Sequence, residues 1–350
     1  MNKGTMKAAV LEELNKIVVK DVPIPEIAKD EMLVRVRACS ICGTDVRIFH
    51  NGEHRIVTPC ITGHEISGDV VEVGPEVTRF KVGDRVAIGA DVPCGECKFC
   101  VMGLSNNCVV HRSTGYQYQG GFAEYIPLSG LMIRGGPIAK IADSLSYDEA
   151  AIAEPLGCVL NGLEAVDVKI GDSVVIVGVG PIGSMLIEVS RRMGASKIIV
   201  IDLKKERLEM AKEFCADVYI AAEEEKAIER VLEETDGMGA DVVITACPSA
   251  KAQVEALDMV KNRGRINFFG GLPHGNSKIT IDSNLIHYKE AYIVGTHGSL
   301  VRHHAKALEL ITSGIVDANK FISHRLPLDR ILEGYAIAES KTGRKVIINP

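Results

Sequence analysis

The chain has 350 residues, of which 46% are hydrophobic and 25% are charged, and this size allows two domains with cores of their own. The formal net charge of −6 gives no sign of a nucleic-acid partner or of an anionic membrane surface. The first residues resemble no signal peptide, and the most apolar stretch, 173–189, is broken by glycines, a proline and Glu188. We therefore expect a cytoplasmic protein that does not bind membranes.

Up to about residue 155 the chain is predicted to form short strands and turns. Residues 33–37 alternate apolar and charged side chains, as a half-buried strand does. Residues 69–74 and 84–90 are similar short runs, separated by Gly, Pro and Asp. This part is predicted to be a compact all-β unit with long loops.

After residue 155 predicted strands and helices alternate. The continuous apolar run at 173–177 suits a strand buried on both faces. The other predicted elements are helices over 182–193, around Leu208 and Ala211 and over 303–312, and extended segments at 197–201, 241–246, 265–269 and 345–349. Alternation of this kind predicts a parallel sheet with right-handed crossovers, and the chain as a whole is of the α/β class.

A cysteine-rich lobe lies in the first half of the chain. Cys94, Cys97, Cys100 and Cys108 have the spacing C-x2-C-x2-C-x7-C. Four clustered thiolates can close around one tetrahedral Zn²⁺ and leave no open position, so the predicted site is structural. An iron–sulfur cluster also takes four thiolates, although the long last gap departs from the ferredoxin spacing, and a third reading is four buried thiols without a metal.

Three separated segments each contain a candidate metal ligand, namely Cys42, His64 and Glu154. One thiolate, one imidazole and one carboxylate suit a catalytic Zn²⁺ whose fourth position stays open to water or substrate. With these ligands the net charge of the centre is zero, so the ion can favour a deprotonated alcohol. Each segment alone is a weak indication of a metal site, and only the three together predict one.

Neighbouring residues add possible roles. Asp45 is placed to orient the His64 ring, and the Thr44 hydroxyl can accept the substrate proton. Cys39 and Cys42 form a C-x-x-C pair, for which a redox role is the alternative.

A dinucleotide-binding turn is predicted at 178–183. The strand at 173–177 runs into G-x-G-x-x-G and then into a helix, which is the context that gives this motif its meaning. Gly178 allows the tight turn, Gly180 lets the backbone approach the pyrophosphate, and Gly183 permits close packing of helix and strand.

Asp202 ends the next strand, and a carboxylate there accepts from the ribose hydroxyls and repels a 2′-phosphate, which favours NAD over NADP. Lys204 and Lys205 follow directly and weaken that preference, and Arg207 is either an adenine contact or a solvated helix residue. The predicted cofactor contacts of this region are Gly178, Gly180, Pro181, Ile182, Gly183, Asp202 and Arg207.

Taken together, these motifs resemble those of the zinc-containing medium-chain dehydrogenases, and most closely the sorbitol, threonine and related polyol dehydrogenases. The resemblance spans nearly the whole chain through the segments 42–45, 63–65, 94–108, 154–156, 178–183 and Asp202. It implies a GroES-like catalytic domain at 1–157 and 296–350 with a Rossmann domain at 158–295 inserted. It also implies reversible, NAD-linked oxidation of an alcohol or polyol to a ketone or aldehyde.

The resemblance further implies two zinc ions per chain, one of them catalytic and bound by Cys42 and His64. The carboxylate ligand is Glu65 or Glu154, because these two glutamates exchange roles in similar enzymes. Looser matches imply nicotinamide-side contacts at Phe269, Gly270 and Gly271. A small-molecule substrate and a homo-oligomer, dimer or tetramer, joined through edge strands of the Rossmann sheet, are also implied.

One position departs from the family pattern. Many alcohol dehydrogenases of the family have a proton-relaying His five residues after the zinc-binding Cys, and here that residue is Arg47. The sequence is also compatible with two other functions, a zinc-free quinone-type reductase on the same scaffold and a non-catalytic NAD-binding sensor.

Overall fold

The structure, a computed structural model, describes residues 4–273 and 275–350. Residues 1–3, which belong to the chain start examined above for a signal peptide, and His274 lie outside the described residues. The chain divides into an outer unit, Met1–Cys158 with Gly298–Pro350, and an inserted unit, Val159–His297. Within the described ranges no helix has both the length and the apolar character needed to cross a membrane.

The strands in chain order are β1 (Thr5–Glu13), β2 (Lys16–Pro23), β3 (Met32–Ser40), β4 (Cys60–Ile61), β5 (Glu65–Val73), β6 (Arg85–Ile88), β7 (Asp91–Val92), β8 (Arg112–Ser113), β9 (Tyr125–Leu128), β10 (Ile138–Lys140), β11 (Ser173–Val177), β12 (Lys197–Asp202), β13 (Val218–Ala221), β14 (Ala240–Thr245), β15 (Val260–Phe268), β16 (Tyr292–Gly295), β17 (Ile322–Pro327) and β18 (Lys345–Asn349).

The helices are α1 (Gly43–Asn51), α2 (Lys98–Val101), α3 (Gly130–Gly135), α4 (Tyr147–Ala151), α5 (Ala153–Ala165), α6 (Pro181–Arg192), α7 (Lys205–Ala211), α8 (Ala227–Glu233), α9 (Ala250–Met259), α10 (Ser283–Lys289), α11 (Val301–Thr312) and α12 (Ile331–Ser340).

The outer unit is built around a mainly antiparallel sheet in the order β10-β6-β5-β3-β18-β17, in which β9 also pairs with β3. A second sheet has the order β2-β1-β4. Side chains such as Phe122, Ile66 and Ile126 are completely buried in the core of the outer unit. Each contributes about 1.5–3 kcal/mol to the free energy of unfolding, because folding removes its apolar surface from water. The C-terminal strand β18 pairs with β3, so the tail of the chain completes the sheet.

The prediction of an all-β first part is wrong in detail, because α1 begins directly after β3. Cys42 is the N-cap of this helix, and its backbone N–H donates to the Asp45 carboxylate at 2.9 Å. This half of a capping box satisfies a backbone donor at the start of the helix and stabilises it. The helix starts at the residues that the sequence analysis interpreted as a ligand motif.

The inserted unit is a parallel sheet in the order β13-β12-β11-β14-β15-β16. This is the doubly wound order of dinucleotide-binding domains, and the order reverses between β11 and β14. β11 coincides with the predicted strand, and β12 and β14 lie within one residue of the prediction at each end. The α/β class, with a β-rich unit and a Rossmann-type unit, is confirmed.

Candidate metal centres and nucleotide turn

Strand pairing in the outer unit brings three donor side chains together. β3 and β5 pair antiparallel with Ser40 opposite Glu65, so Cys42 just beyond β3 lies beside His64 just before β5. One ligand atom each from Cys42, His64 and Glu65 all lie within 4.8 Å of one another. Thiolate, imidazole and carboxylate are donors that Zn²⁺ prefers, and these residues fit such an ion.

The surroundings of His64 favour a positive charge. Its Nδ1 lies 3.5 Å from the Asp45 carboxylate. Burial opposes protonation of the ring, but the Asp45 carboxylate and the contact with Cys42 raise the pKa of His64 well above its usual value. The side chains around His64 therefore favour a positive charge at this position, although the ring is buried. A bound metal ion supplies such a charge directly, so the centre is suited to one.

Lys345 on β18 contacts the same centre and was not identified from the sequence. Its buried ammonium donates to Glu65 Oε1 at 2.7 Å and to the carbonyl of Ile41 at 2.9 Å. Glu65 Oε2 lies 2.5 Å from the same nitrogen, outside hydrogen-bond geometry. Burial alone would lower the pKa of Lys345, but Glu65 raises it on balance, so the ammonium stays charged.

Glu154 lies at the start of α5 and is buried, but it is outside the close group formed by Cys42, His64 and Glu65. Burial raises the pKa of Glu154 to about 7, and the negative charges of Glu65 and Asp91 act in the same direction. The thiol of Cys158, one helical turn later, lies 3.7 Å from Glu154 Oε1 and donates to it. Cys158 is a second contact that the sequence analysis did not predict.

The other candidates around this centre differ in their surroundings. Thr44 is half-buried in the first turn of α1, and its hydroxyl has no partner among the described residues. Cys39 is completely buried in β3, where burial raises the pKa of its thiol well above the usual value. Such a thiol is inert, which argues against the alternative of a redox pair with Cys42. Arg47 donates to Glu53 at 3.1 Å and provides no imidazole for a proton relay.

The four lobe cysteines form a second group, with their sulfurs within 4.8 Å of one another. Backbone N–H groups point at the sulfurs, with Cys94 N–H donating to Cys108 Sγ at 3.3 Å and Cys97 N–H to Cys94 Sγ at 3.4 Å. Hydrogen bonds of this kind from Cys100 and Val109 lower the pKa of Cys97 to about 6. The loop therefore stabilises the Cys97 thiolate, whereas burial raises the pKa of Cys100 to about 12. Four sulfurs in a closed group fit a structural Zn²⁺, whose charge favours the thiolate form of all four.

The glycine turn of the inserted unit has the geometry that the motif requires. Gly178 has φ of +98°, and a Cβ at Gly183 would lie 2.0 Å from the Gly178 carbonyl oxygen. Gly180 is the N-cap of α6, which begins with Pro181. The free N–H groups at this helix start form a site for a pyrophosphate.

Asp202 lies at the end of β12, and its Oδ2 accepts a hydrogen bond from the Val179 N–H at 2.9 Å. The neighbouring lysines are paired with acids, Lys204 with Glu223 at 3.0 Å and Lys205 with Glu224. The Arg207 guanidinium lies against the turn, 3.0 Å from the position a Gly180 Cβ would have.

The segment after β15 and the glycine turn both contact Cys247. A Cβ at Gly270 would lie 2.6 Å from the Cys247 carbonyl oxygen, and one at Gly178 would lie 3.0 Å from the Cys247 Cβ. The Phe269 ring packs against Gly162 on α5, and Gly271 has open space around it. The structure thus brings Gly270 close to the turn.

Family models match both parts of the chain. Residues 28–133 match the model described as "Alcohol dehydrogenase GroES-like domain", and residues 181–313 match the model described as "Zinc-binding dehydrogenase". The first contains Cys42, His64, Glu65 and the lobe cysteines, and the second begins within the glycine turn.

Individual relatives match over nearly their whole length. The chain is 33% identical over 349 residues to a sorbitol dehydrogenase of Bombyx mori, covering 98% of each chain. It is 35% identical over 358 residues to an L-threonine 3-dehydrogenase of Bacillus subtilis, covering 100% of each. A crystal structure of a zinc-binding dehydrogenase from Sinorhizobium meliloti, bound to NADP, superposes with a TM-score of 0.90 at 30% identity, covering 99% of this chain and 100% of that one.

Proposed function

Because the chain belongs to the zinc-containing medium-chain dehydrogenase family, we propose that it catalyses the reversible, NAD-linked oxidation of an alcohol or polyol to a ketone or aldehyde. As a member of this family it is an oxidoreductase acting on CH–OH groups, and it uses zinc and a nicotinamide cofactor. The observation that carries the proposal is the close group of Cys42, His64 and Glu65, with ligand atoms within 4.8 Å.

The proposed roles follow from the contacts. A bound Zn²⁺ would make a substrate hydroxyl more acidic and stabilise the charge that develops on its oxygen. Cys42 and His64 would hold the ion with Glu65 or Glu154, and Asp45 would orient the His64 ring from 3.5 Å. The Thr44 hydroxyl, unpartnered among the described residues, would take the substrate proton.

Several contacts support NAD over NADP as the proposed cofactor. Asp202 Oδ2 is held beside the glycine turn by the Val179 N–H. A fixed carboxylate at this position accepts from ribose hydroxyls and repels a 2′-phosphate. Lys204 and Lys205 are engaged by Glu223 and Glu224, so their charges offset that repulsion little.

The proposal also covers assembly and location. Among the described residues β16 has a strand partner on one side only, and Tyr292 on it and Tyr288 before it are exposed. An exposed sheet edge with aromatic side chains favours pairing with a second copy, as a dimer or tetramer. The ten cysteines form no disulfide, which favours a reducing compartment such as the cytoplasm.

The test measures NADH formation by zinc-loaded enzyme with simple alcohols, polyols, vicinal diols, sugars and L-threonine. Cys42→Ser should lose one of two zinc ions per chain and essentially all turnover, while still binding NADH. Cys215→Ser, which replaces an exposed thiol of the inserted unit, should behave as the parent enzyme. Tight NADH binding without turnover of any alcohol would instead identify a sensor, and full turnover after removal of both metals would identify a zinc-free reductase.

A further inference from the structure

An arginine with a free edge lies beside the candidate metal centre of the outer unit. Arg55 follows α1, and its guanidinium stacks on the Tyr116 ring with 4.4 Å from Cζ to the ring centroid. The same ring lies 6.1 Å from the His64 ring, centroid to centroid. A single aromatic side chain therefore separates the guanidinium from a candidate ligand.

Neighbouring side chains hold Arg55 in place. Its Nε donates to Glu53 Oε1 at 3.2 Å, and its Nη1 lies 3.5 Å from His111 Nδ1. Asp91 lies 2.7 Å from His111 Nε2, which fixes the ring hydrogen on that nitrogen and leaves Nδ1 as the acceptor for Arg55. An arginine stacked on a ring and bound through two nitrogens has lost most of its rotamer freedom before any ligand arrives.

Arg55 shares its carboxylate partner with a second arginine. The Glu53 side chain is only 4% exposed and accepts from both Arg55 and Arg47, so one carboxylate serves two guanidinium groups. One carboxylate shared in this way does not fully neutralise Arg55.

The third guanidinium nitrogen of Arg55, Nη2, donates no hydrogen bond to a described residue. The Arg55 side chain is 29% exposed. A preorganised guanidinium with a free N–H edge is suited to carboxylate or phosphate oxygens, and little ordering entropy opposes the contact.

We propose that Arg55 is a specificity-determining residue that binds an oxyanion on the substrate, so that the preferred substrates are small alcohols carrying a carboxylate or a phosphate. This inference rests on the proposed dehydrogenase function. The metal centre takes the hydroxyl to be oxidised, and Arg55 takes the charged end a few carbons away.

The test compares three four-carbon substrates that differ only at one end: erythritol, erythronate and erythritol 4-phosphate. With zinc-loaded enzyme and NAD, kcat/KM should be higher for one of the two anions than for erythritol. Arg55→Met should raise KM for that anion about 10- to 100-fold, the range expected for a lost hydrogen bond to a charged group, and Arg55→Lys should fall between. The better anion identifies the source of the oxyanion.

Arg37→Met is the matched control, because Arg37 also binds a carboxylate, Asp69 at 2.7 Å, and lies over an aromatic ring, Tyr147 at 5.9 Å. It should leave the preference unchanged. Calorimetry with malonate and with inorganic phosphate gives a second readout that needs no turnover, and Arg55→Met should weaken binding of at least one of them about tenfold or more.

The outcomes separate the two proposals. Equal or better oxidation of erythritol, or anion preference that survives in Arg55→Met, overturns the role of Arg55 and leaves the dehydrogenase function standing. Failure to oxidise any alcohol with both zinc ions present overturns the function, and the substrate assignment falls with it even if malonate or phosphate binding still depends on Arg55.

Discussion

A buried histidine of the outer unit should make the protein sensitive to acid. His304 on α11 is 1% exposed, and neither ring nitrogen has a hydrogen-bond partner among the described residues. Its ring lies 3.1 Å from the position a Gly89 Cβ would have, so backbone packs closely against it. Because no partner stabilises the charged ring, burial lowers the pKa of His304 from 6.5 to about 4.

The sign and size of the effect follow from proton linkage. Between pH 6.5 and 4 the unfolded chain binds a proton at His304 that the folded protein does not, so stability is intact above pH 6.5 and is lost as the pH falls. At about 1.36 kcal/mol per pH unit, the loss at pH 5 is about 2 kcal/mol. His304→Leu removes the titrating ring from the core and should remove this part of the pH dependence.

The assay is urea unfolding of the zinc-loaded proteins at pH 7.5 and 5.0. The chain has no Trp, so unfolding is followed by far-ultraviolet circular dichroism. Zinc release at low pH affects the parent and the variant alike, so the difference between their losses isolates His304. His287→Leu, at an exposed position on α10, is the control and should keep the parental loss. An equal loss in parent and His304→Leu would refute the reasoning.

Two further predictions concern the metal centre and the cofactor. Lys345→Met should destabilise the zinc-free protein by about 3–5 kcal/mol, because it leaves the buried Glu65 charge unpaired. It should also tighten zinc binding measured against a chelator, because the ion replaces the lost cation, and an unchanged zinc affinity would contradict the argument. Lys226→Met, at the exposed pair with Glu229, is the control and should leave the stability nearly unchanged. Asp202→Asn should lower the ratio of kcat/KM for NAD to that for NADP about tenfold or more, because the 2′-phosphate is no longer repelled, and an unchanged ratio would assign the preference to other residues.

The sequence pattern predicted the elements that are determined by residues close together in the chain. Residues 174–177 are all apolar because this part of β11 is buried between two neighbouring strands, and the glycines after it are required by the turn itself. The lobe cysteines are close in sequence, so their spacing alone predicts a shared ion. The extended tail was also recognised, and β18 has the predicted bounds.

Other features needed the folded chain. β15 begins at Val260, five residues before the predicted start. The pattern does not reveal this first part of the strand because it is mostly polar and contains Arg263 with φ of +59°. The start of α1 is difficult to predict because Cys42 and Asp45 also fit a metal ligand and its orienting residue, and an acid three residues after a cap is at the same time a helix-start signal. The stacking of Arg55 on Tyr116 joins two loops that no periodic pattern connects.

Lys345 shows most clearly what the sequence could not provide. It lies 280 residues after Glu65, and only the pairing of β18 with β3 brings the two together. Its charge alters the balance of the whole centre: with Cys42, Glu65 and Glu154 ionised, a divalent cation alone would leave one negative charge, and Lys345 cancels it. Because the Glu65 carboxylate already lies within 4.8 Å of the Cys42 and His64 donors, distance favours Glu65 as the first carboxylate ligand. In the zinc-free protein burial raises the pKa of Glu154 to about 7, and a divalent cation bound nearby would lower that pKa again and favour the carboxylate.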